Sequence, residues 1–379
     1  MTRALLALED GRTFWGRSVG ANGERAGEVV FNTSMTGYGE ILTDPSYRGQ
    51  LVTLTAAHIG NYGIDPVDLE AAVPWAEALI VRAFTERPSN WRSAESLSAL
   101  LARRGVLAVA DLDTRALTRH IRAAGAMRGV LSTDDLDPAS LIAKARAIPV
   151  MAGRDLASDV GTQTAYEWHD GTPAEWNTLQ LALGPAANQH IVVYDFGVKR
   201  NTLRRLVDLG CRVTVVPNRT SAVEALAFAP DGVLISNGPG DPATLGYAVD
   251  AIRGLIGQVP VFGICLGHQL IGQALGGTTF KLPFGHHAGN HPVVDTRTGN
   301  VRITAQNHGF AVDPHSLPAE VEVTELSGND QTCEGLRHRV LPVASVQYHP
   351  EAGPGPHDGD EHFRRFIGGL GERGKGKGE

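Results

Sequence analysis

The sequence predicts an α/β protein in two parts: a smaller, β-rich α+β domain at the amino end, and a carboxyl-terminal domain whose mostly parallel sheet is flanked by helices. Three observations predict this. Short strand-like runs separated by turn residues fill the first 60 residues. From residue 191 onward, apolar runs of four to seven residues alternate with helical patterns of about ten, the rhythm of a parallel sheet covered on both faces. Between the two lies a polar stretch with scattered Thr, Trp and Asp and no clear period. The expected boundaries are 1–152 for the amino-terminal domain, 153–190 for a linker or irregular arm, 191–372 for the carboxyl-terminal domain and 373–379 for a disordered tail.

In chain order, residues 5–8 and 13–15 read as strands around the Glu9-Asp10-Gly11 turn, and 28–32 and 50–55 as two more. Glycine and proline punctuate a loop over 35–49. Residues 93–103 place Leu97, Leu100 and Leu101 at helical spacing, and 114–124 do the same with Leu117 and Ile121. Asp111 and Asp113 precede the second helix, where acids suit a helix N-terminus. Residues 139–147 read as a further helix. In the carboxyl-terminal part, IVVYDFG, CRVTVVP, GVLIS and PVFGIC read as strands, each followed by a helical pattern. Sites in such sheets gather beyond the carboxyl ends of the strands, which puts NGPGD and the turn at Cys265 on one rim. Strand-like runs at 301–305, 321–325 and 343–347 and a helix over 361–370 close the chain, and no internal repeat is present.

Composition excludes several classes of function. With 379 residues the chain is long enough for two domains, and 42% hydrophobic with 20% charged residues supports ordinary cores. Lysine and arginine number 34 against 41 acidic residues, a net charge of −7 that offers no overall attraction to nucleic acid or anionic membranes. The three cysteines lie far apart and form no CxxC, so neither a zinc ribbon nor a redox dithiol is indicated. Asp10-Gly11 interrupts the apolar core a signal peptide needs, and no uncharged apolar run is long enough to cross a bilayer. The expectation is a soluble, cytoplasmic protein with no nucleic-acid or membrane partner.

Gly263-Ile264-Cys265-Leu266-Gly267 is a G-x-C-x-G at a strand-to-helix junction, the spacing of a nucleophile elbow with sulfur for the hydroxyl. A nucleophile on so tight a turn needs small residues two positions to either side. The helix that follows aims free N–H groups at the site, favouring a thiolate and a developing oxyanion, with the N–H of Leu266 the natural donor. Alone, such a cysteine is as readily a small buried hydrophobe. His349-Pro350-Glu351 supplies what a thiol needs: a base, and an acceptor to orient it. Residues two apart in an extended chain face the same way, so imidazole and carboxylate can meet.

Asn237-Gly238-Pro239-Gly240-Asp241-Pro242 follows a strand and forms a rigid turn whose backbone can approach a ligand closely. It has neither the third glycine of a dinucleotide fingerprint nor the G-K-[ST] of a Walker loop. Gln306-Asn307-His308-Gly309-Phe310 offers amide, imidazole and backbone groups suited to the ends of an amino acid, or else a plain hairpin turn. His286, His287 and His291 invite a metal reading, but histidines on a glycine-rich loop without nearby carboxylates make a poor ligand set, and no metal is expected. Cys211 and Cys333 have no base nearby in sequence.

With these residues in view, the chain resembles the small subunit of glutamine-dependent carbamoyl-phosphate synthetase. GICLGHQ, SNGPGDP and HPE are similar to the class I, triad-type glutamine amidotransferase module, which related enzymes share. GEVVFNTSMTGYGEILTDPSYRGQ, DLDTRALTRHIR, YDFGVKRN, FGHHAGNHPV and ITAQNHGFAVD resemble segments typical of that subunit, and only the arm and tail fall outside the match. The resemblance implies Cys265 as nucleophile, His349 as general base and acid, and Glu351 as its orienting partner. It implies L-glutamine contacts from Ser46, Gly238, Gly240, Leu266, Gln269, Asn307, Gly309 and Phe310, with Gly238 and Leu266 as oxyanion donors. It further implies no cofactor on this chain and a large-subunit partner that holds ATP and Mg2+. That partner makes carbamoyl phosphate from bicarbonate and ammonia for arginine and pyrimidine synthesis. Two alternatives remain: another triad-type amidotransferase or glutamyl hydrolase, and a catalytically silent scaffold subunit. A nicotinamide oxidoreductase would need the fingerprint that is missing.

Overall fold

Residues 2–176 and 188–371 are described by a computed structural model and separate into two units. The first takes in the chain up to Arg154 with Leu282–Gly289 and Gly353–Gly355; the second takes in Asp155–Lys281, Asn290–Ala352 and the stretch from Pro356. The expected tail at 373–379, and the part of the expected arm at 177–187, lie outside the described residues. Among the described residues no helix is long and apolar enough to cross a membrane.

The first unit is a closed barrel of seven strands: β1 (Arg3–Leu8), β2 (Thr13–Ser18), β3 (Glu24–Asn32), β4 (Gln50–Leu54), β5 (Ala78–Ile80), β6 (Leu107–Ala110) and β7 (Met127–Ser132), in the order β1-β2-β6-β5-β4-β3-β7. The predicted hairpin is there, with Leu6 opposite Phe14. β5, β6 and β7 are strands the sequence reading did not name; β5 and β6 are three- and four-residue runs, too short to display alternation. The expected loop over 35–49 instead contains a six-residue helix, α1 (Tyr38–Thr43), and a 3-10 turn (Pro45–Tyr47). Fewer than two turns cannot show a 3.6-residue period, which is why it escaped notice. α2 (Leu97–Arg104) starts four residues later than expected, because the Ser96 hydroxyl caps it by accepting from the Ala99 N–H. α3 (Thr114–Ala124) has its predicted limits, capped by Asp113 and burying Leu117 and Ile121; α4 (Pro138–Ala147) begins one residue early.

The second unit is built on a ten-stranded sheet. Its centre is five parallel strands, β9 (His190–Asp195), β10 (Arg212–Pro217), β11 (Gly232–Ile235), β12 (Val261–Ile264) and β17 (Val343–Val346), in the order β10-β9-β11-β12-β17. Antiparallel strands continue it beyond β17: β16 (Cys333–His338), β15 (Val321–Ser327), β13 (Thr279–Asp295) and β14 (Val301–Val312). Helices α6 (Arg200–Asp208), α7 (Ala222–Ala227), α8 (Gly246–Leu255) and α9 (Leu266–Ala274) follow the parallel strands, and α10 (Glu361–Gly371) comes last.

The arm is less irregular than the sequence suggests. Ala157–Val160 forms a helical turn, α5, and Tyr166–Trp168, β8, pairs antiparallel with β10 to become the edge of the sheet. Aspartates distant in sequence hold it down: Asp195 accepts from the Thr162 N–H at 2.8 Å, and Asp208 from the Thr172 N–H at 2.8 Å and its hydroxyl at 2.6 Å. A three-residue strand held by remote carboxylates leaves no local signature.

Candidate active site

Cys265 sits between β12 and α9 with φ 53° and ψ −103°, a conformation that costs a residue with a Cβ of order 1–3 kcal/mol. The neighbours make it possible. A Cβ on Gly267 would fall 2.1 Å from the Ile235 carbonyl oxygen, and one on Gly263 would fall 2.6 Å from Ile271 and 2.7 Å from the Gly267 carbonyl. Small residues are thus required two positions to either side, as the sequence argument held. Two backbone bonds fix the turn from adjacent strand ends: Cys265 N–H to the Val346 carbonyl at 2.9 Å, and Gly267 N–H to the Ser236 carbonyl at 3.1 Å. Leu266 opens a nine-residue helix, so its N–H belongs to the first turn, where intrahelical partners are missing.

His349 lies three residues past the end of β17, which stops at Val346 rather than at 347 as expected. A single bridge to Ala305 in β14 carries it, His349 N–H to the Ala305 carbonyl at 2.9 Å. Its Nδ1 is 2.7 Å from Glu351 Oε1, so the two-residue spacing does bring ring and carboxylate together, at a turn rather than along a strand. Both side chains are almost wholly buried. Burial by itself opposes a charge on His349. The Glu351 carboxylate, the neighbouring Cys265 side chain and the hydrogen bond to Glu351 together outweigh it, against opposition from Lys199, and raise the imidazole above its ordinary range. For Glu351, burial favours the acid, but the Lys199 and His349 charges and hydrogen bonds override it and hold the carboxyl below the usual range.

Lys199 is the residue the sequence reading missed. It is 1% exposed, its Nζ lies 3.2 Å from Glu351 Oε1, and it donates to the Ala352 carbonyl at 2.5 Å. Asn201 donates to the Glu351 carbonyl. Both stand in YDFGVKRN, about 150 residues from the carboxylate, where no spacing rule could pair them, and the polar run Lys199-Arg200-Asn201 at the start of α6 gives no sign that the lysine is buried.

The NGPG turn meets the elbow. A Cβ on Gly238 would lie 2.1 Å from the Phe196 carbonyl oxygen and 2.9 Å from the Leu266 side chain, and Asn237 is tied to the Gly197 carbonyl at 2.9 Å. Gly240 adopts φ 94°, open to glycine. Gln306 through Phe310 form no hairpin turn; they belong to β14. There the Asn307 carbonyl lies 3.5 Å from Cys265 Sγ, and Gln269 Nε2 donates to the Phe310 carbonyl at 2.8 Å and to Gln347 Oε1 at 3.1 Å. His308 bonds the Phe310 carbonyl and Gln306 Oε1, and Gln306 in turn bonds Glu334, a buried network that shapes this stretch. Gly309 lies beside Lys281, whose ammonium stands over the Phe310 ring. The second unit therefore assembles Cys265, His349, Glu351, Gly238, Leu266, Gln269, Asn307 and Phe310 around one rim of its sheet. Ser46 belongs to the first unit, buried in the Pro45–Tyr47 turn with its N–H on Asp44 at 2.9 Å.

Of the other histidines singled out, His287 accepts from the Thr33 N–H through its carbonyl and has its ring 5.9 Å from that of Tyr47, while the His291 carbonyl accepts from the Thr304 hydroxyl. Cys211 and Cys333 are buried thiols. Burial first, then nearby carboxylates, pushes Cys211 up to about 12 and Cys333 further in the same direction, so neither forms a thiolate near neutrality.

Residues 192–368 match the family described as glutamine amidotransferase class-I, and residues 6–131 match the carbamoyl-phosphate synthase small chain, CPSase domain. The chain is 51% identical over 364 residues to the carbamoyl phosphate synthase small chain, chloroplastic, of Arabidopsis thaliana, covering 96% of this chain and 84% of that one. It is 53% identical over 366 residues to the small chain of Xylella fastidiosa (strain Temecula1), covering 96% and 97%. With the small chain of Akkermansia muciniphila it shares 52% identity over 365 residues, covering 96% of each.

Two outcomes are expected. Gly267→Ala sets a Cβ against backbone that cannot yield, and lowers stability by about 1–3 kcal/mol in urea unfolding; an unchanged midpoint would show that the elbow tolerates a side chain. Because the His349 pKa is raised in the folded state, its contribution to stability is complete below its ordinary value and fades as pH climbs through the raised one. The urea midpoint of the parent chain should therefore fall between pH 7 and 10, and more steeply than that of Glu351→Gln, in which the chief source of the upward shift is gone. Equal slopes would contradict the assignment.

Proposed function

Because the chain belongs to the carbamoyl-phosphate synthase small-chain family and carries a class-I glutamine amidotransferase domain, we propose that it hydrolyses L-glutamine through a Cys265–His349–Glu351 triad and hands the ammonia to a large-subunit partner. One observation carries the reading: within one unit, a cysteine on a strained strand-to-helix turn stands beside a buried histidine whose far nitrogen is held by a buried carboxylate.

The steps follow from the charges. Cys265 gives its proton to His349, which the Glu351 carboxylate stabilises as an imidazolium. The thiolate attacks the side-chain carbonyl carbon of glutamine, and the carbonyl oxygen takes the negative charge. The N–H groups of Leu266 and Gly238 receive that oxyanion; a donor of this kind is worth roughly 10²–10³ in kcat. As the intermediate collapses, the C–N bond breaks and His349 protonates the departing nitrogen, leaving a γ-glutamyl thioester and ammonia. Water then attacks the thioester with His349 as base, releasing glutamate and restoring the thiol. Gln269, Asn307, Gly309, Gly240 and Phe310 hold the amino-acid end of the substrate.

Ammonia released into neutral water becomes mostly ammonium, which has no lone pair to react. The product is useful only to a partner that receives it unprotonated, which is the role of the large chain. That chain combines ammonia with bicarbonate and ATP, with Mg2+, into carbamoyl phosphate for arginine and pyrimidine synthesis. Lys199 adds a positive charge beside Glu351, keeping that carboxylate ionised where burial alone would neutralise it.

The test is Cys265→Ala assembled with the large chain. Glutamine-dependent synthesis should fall by roughly 10⁴-fold or more, while synthesis from added ammonia persists. Loss of both would assign the chain a scaffolding role, and retention of both would remove Cys265 from the chemistry.

A further inference from the structure

A buried polar cluster that the mechanism above does not use lies next to His349. Tyr348, the preceding residue, is fully buried, and its hydroxyl is hydrogen-bonded to His362 Nε2 at 2.6 Å. His362 stands on α10, and the same nitrogen lies 3.3 Å from Glu325 Oε1 in β15. Glu325 Oε1 accepts from Arg302 at 3.0 Å, and the other terminal nitrogen of Arg302 pairs with Glu361, the chain neighbour of His362. Burial foremost, and then the Glu325 charge, pushes the Tyr348 phenol well above its ordinary range, so it remains a hydroxyl at any working pH.

The cluster touches the segments that carry both reacting groups. The His362 ring stacks on Phe262, with centroids 6.4 Å apart, and Phe262 is in β12, three residues before Cys265. It meets the Tyr348 ring edge-on at 5.8 Å, one residue before His349. Arg302, at the far end of the chain of contacts, belongs to β14, the strand that also takes the His349 N–H on Ala305. Residues 347 and 348 lie outside any regular strand; the Gln347 N–H donates to the Glu334 carbonyl at 2.8 Å and the His349 N–H to Ala305, and between these two backbone bonds the Tyr348 side chain makes the further tie to α10.

We propose that Tyr348 and His362 are positioning residues that set the separation of Cys265 and His349, by bonding the segment before the imidazole to a ring stacked on the strand before the thiol. The inference rests on the reading of Cys265 and His349 as the reacting pair. Neither residue is among those proposed to hold glutamine, so the effect belongs to the chemical step. A displacement of about 1 Å at reacting atoms can cost about 10²-fold, and loss of one hydroxyl inside a packed cluster moves them less.

The experiment measures steady-state glutamate release from glutamine by the full chain assembled with the large chain. It compares the parent, Tyr348→Phe, His362→Leu, the double variant and His362→Gln, each with its melting temperature. Tyr348→Phe should lower kcat by about tenfold with KM changed less than about twofold, a deficit intermediate between no displacement and the 1 Å case. Since both residues act through one bond, the double variant should be no slower than the slower single variant. His362→Gln, which keeps a polar partner for the phenol, should recover part of the rate lost in His362→Leu. A melting temperature that falls while kcat holds would overturn the inference, as would single-variant losses that multiply in the double. Absence of glutamate release by the parent would instead sink the functional reading itself, and the positioning role with it.

Discussion

The arrangement depends on a backbone conformation that a cysteine adopts only under compulsion. At φ 53° and ψ −103°, Cys265 is forced into its turn by bonds on either side, to Val346 and to Ser236, and by glycines that let Ile235 and Ile271 come close. Those bonds come from the ends of β17 and β11, the two neighbours of β12 in the sheet. The strain is thus held by the sheet as a whole. Three parallel strands ending on one rim bring the sulfur, the NGPG turn and the His349 segment together.

Electrostatics supplies the second constraint. Lys199, Glu351 and His349 form a buried row in which each charge depends on the next: the carboxylate is kept ionised by the ammonium, and the imidazolium by the carboxylate. Removing Glu351 leaves two buried cations without their counter-charge, which is costly in a low-dielectric interior. In the proposed mechanism, this row is where the proton of the Cys265 thiol is taken up. Cys211 and Cys333 are buried without such a neighbour, and burial pushes both thiols above their ordinary range.

What could be read from the sequence was what is local. The elbow declared itself because its glycines lie two residues from the cysteine, and the His349–Glu351 contact because its partners are two residues apart. The alternating strands and helices of the second unit were legible for the same reason. Lys199 was not, since its partner is about 150 residues away and a lone lysine carries no pattern. The short barrel strands, α1 and the strand Tyr166–Trp168 were missed because too few residues were present to show a period, and each is held by contacts remote in sequence. For Gln306–Phe310 the sequence left open a plain hairpin turn beside a ligand-holding role, because polar residues and a glycine resemble a turn; the stretch lies in a strand tied by side-chain bonds from Gln269 and Glu334.

The central claim is that one sulfur of the three attacks glutamine. Acid-quenching the chain during turnover, followed by mass spectrometry of its peptides, tests it most directly. The account predicts a γ-glutamyl adduct on the peptide containing Cys265 and none on those containing Cys211 or Cys333. Steady release of glutamate with Cys265 unmodified throughout, or with the adduct on another cysteine, would contradict it.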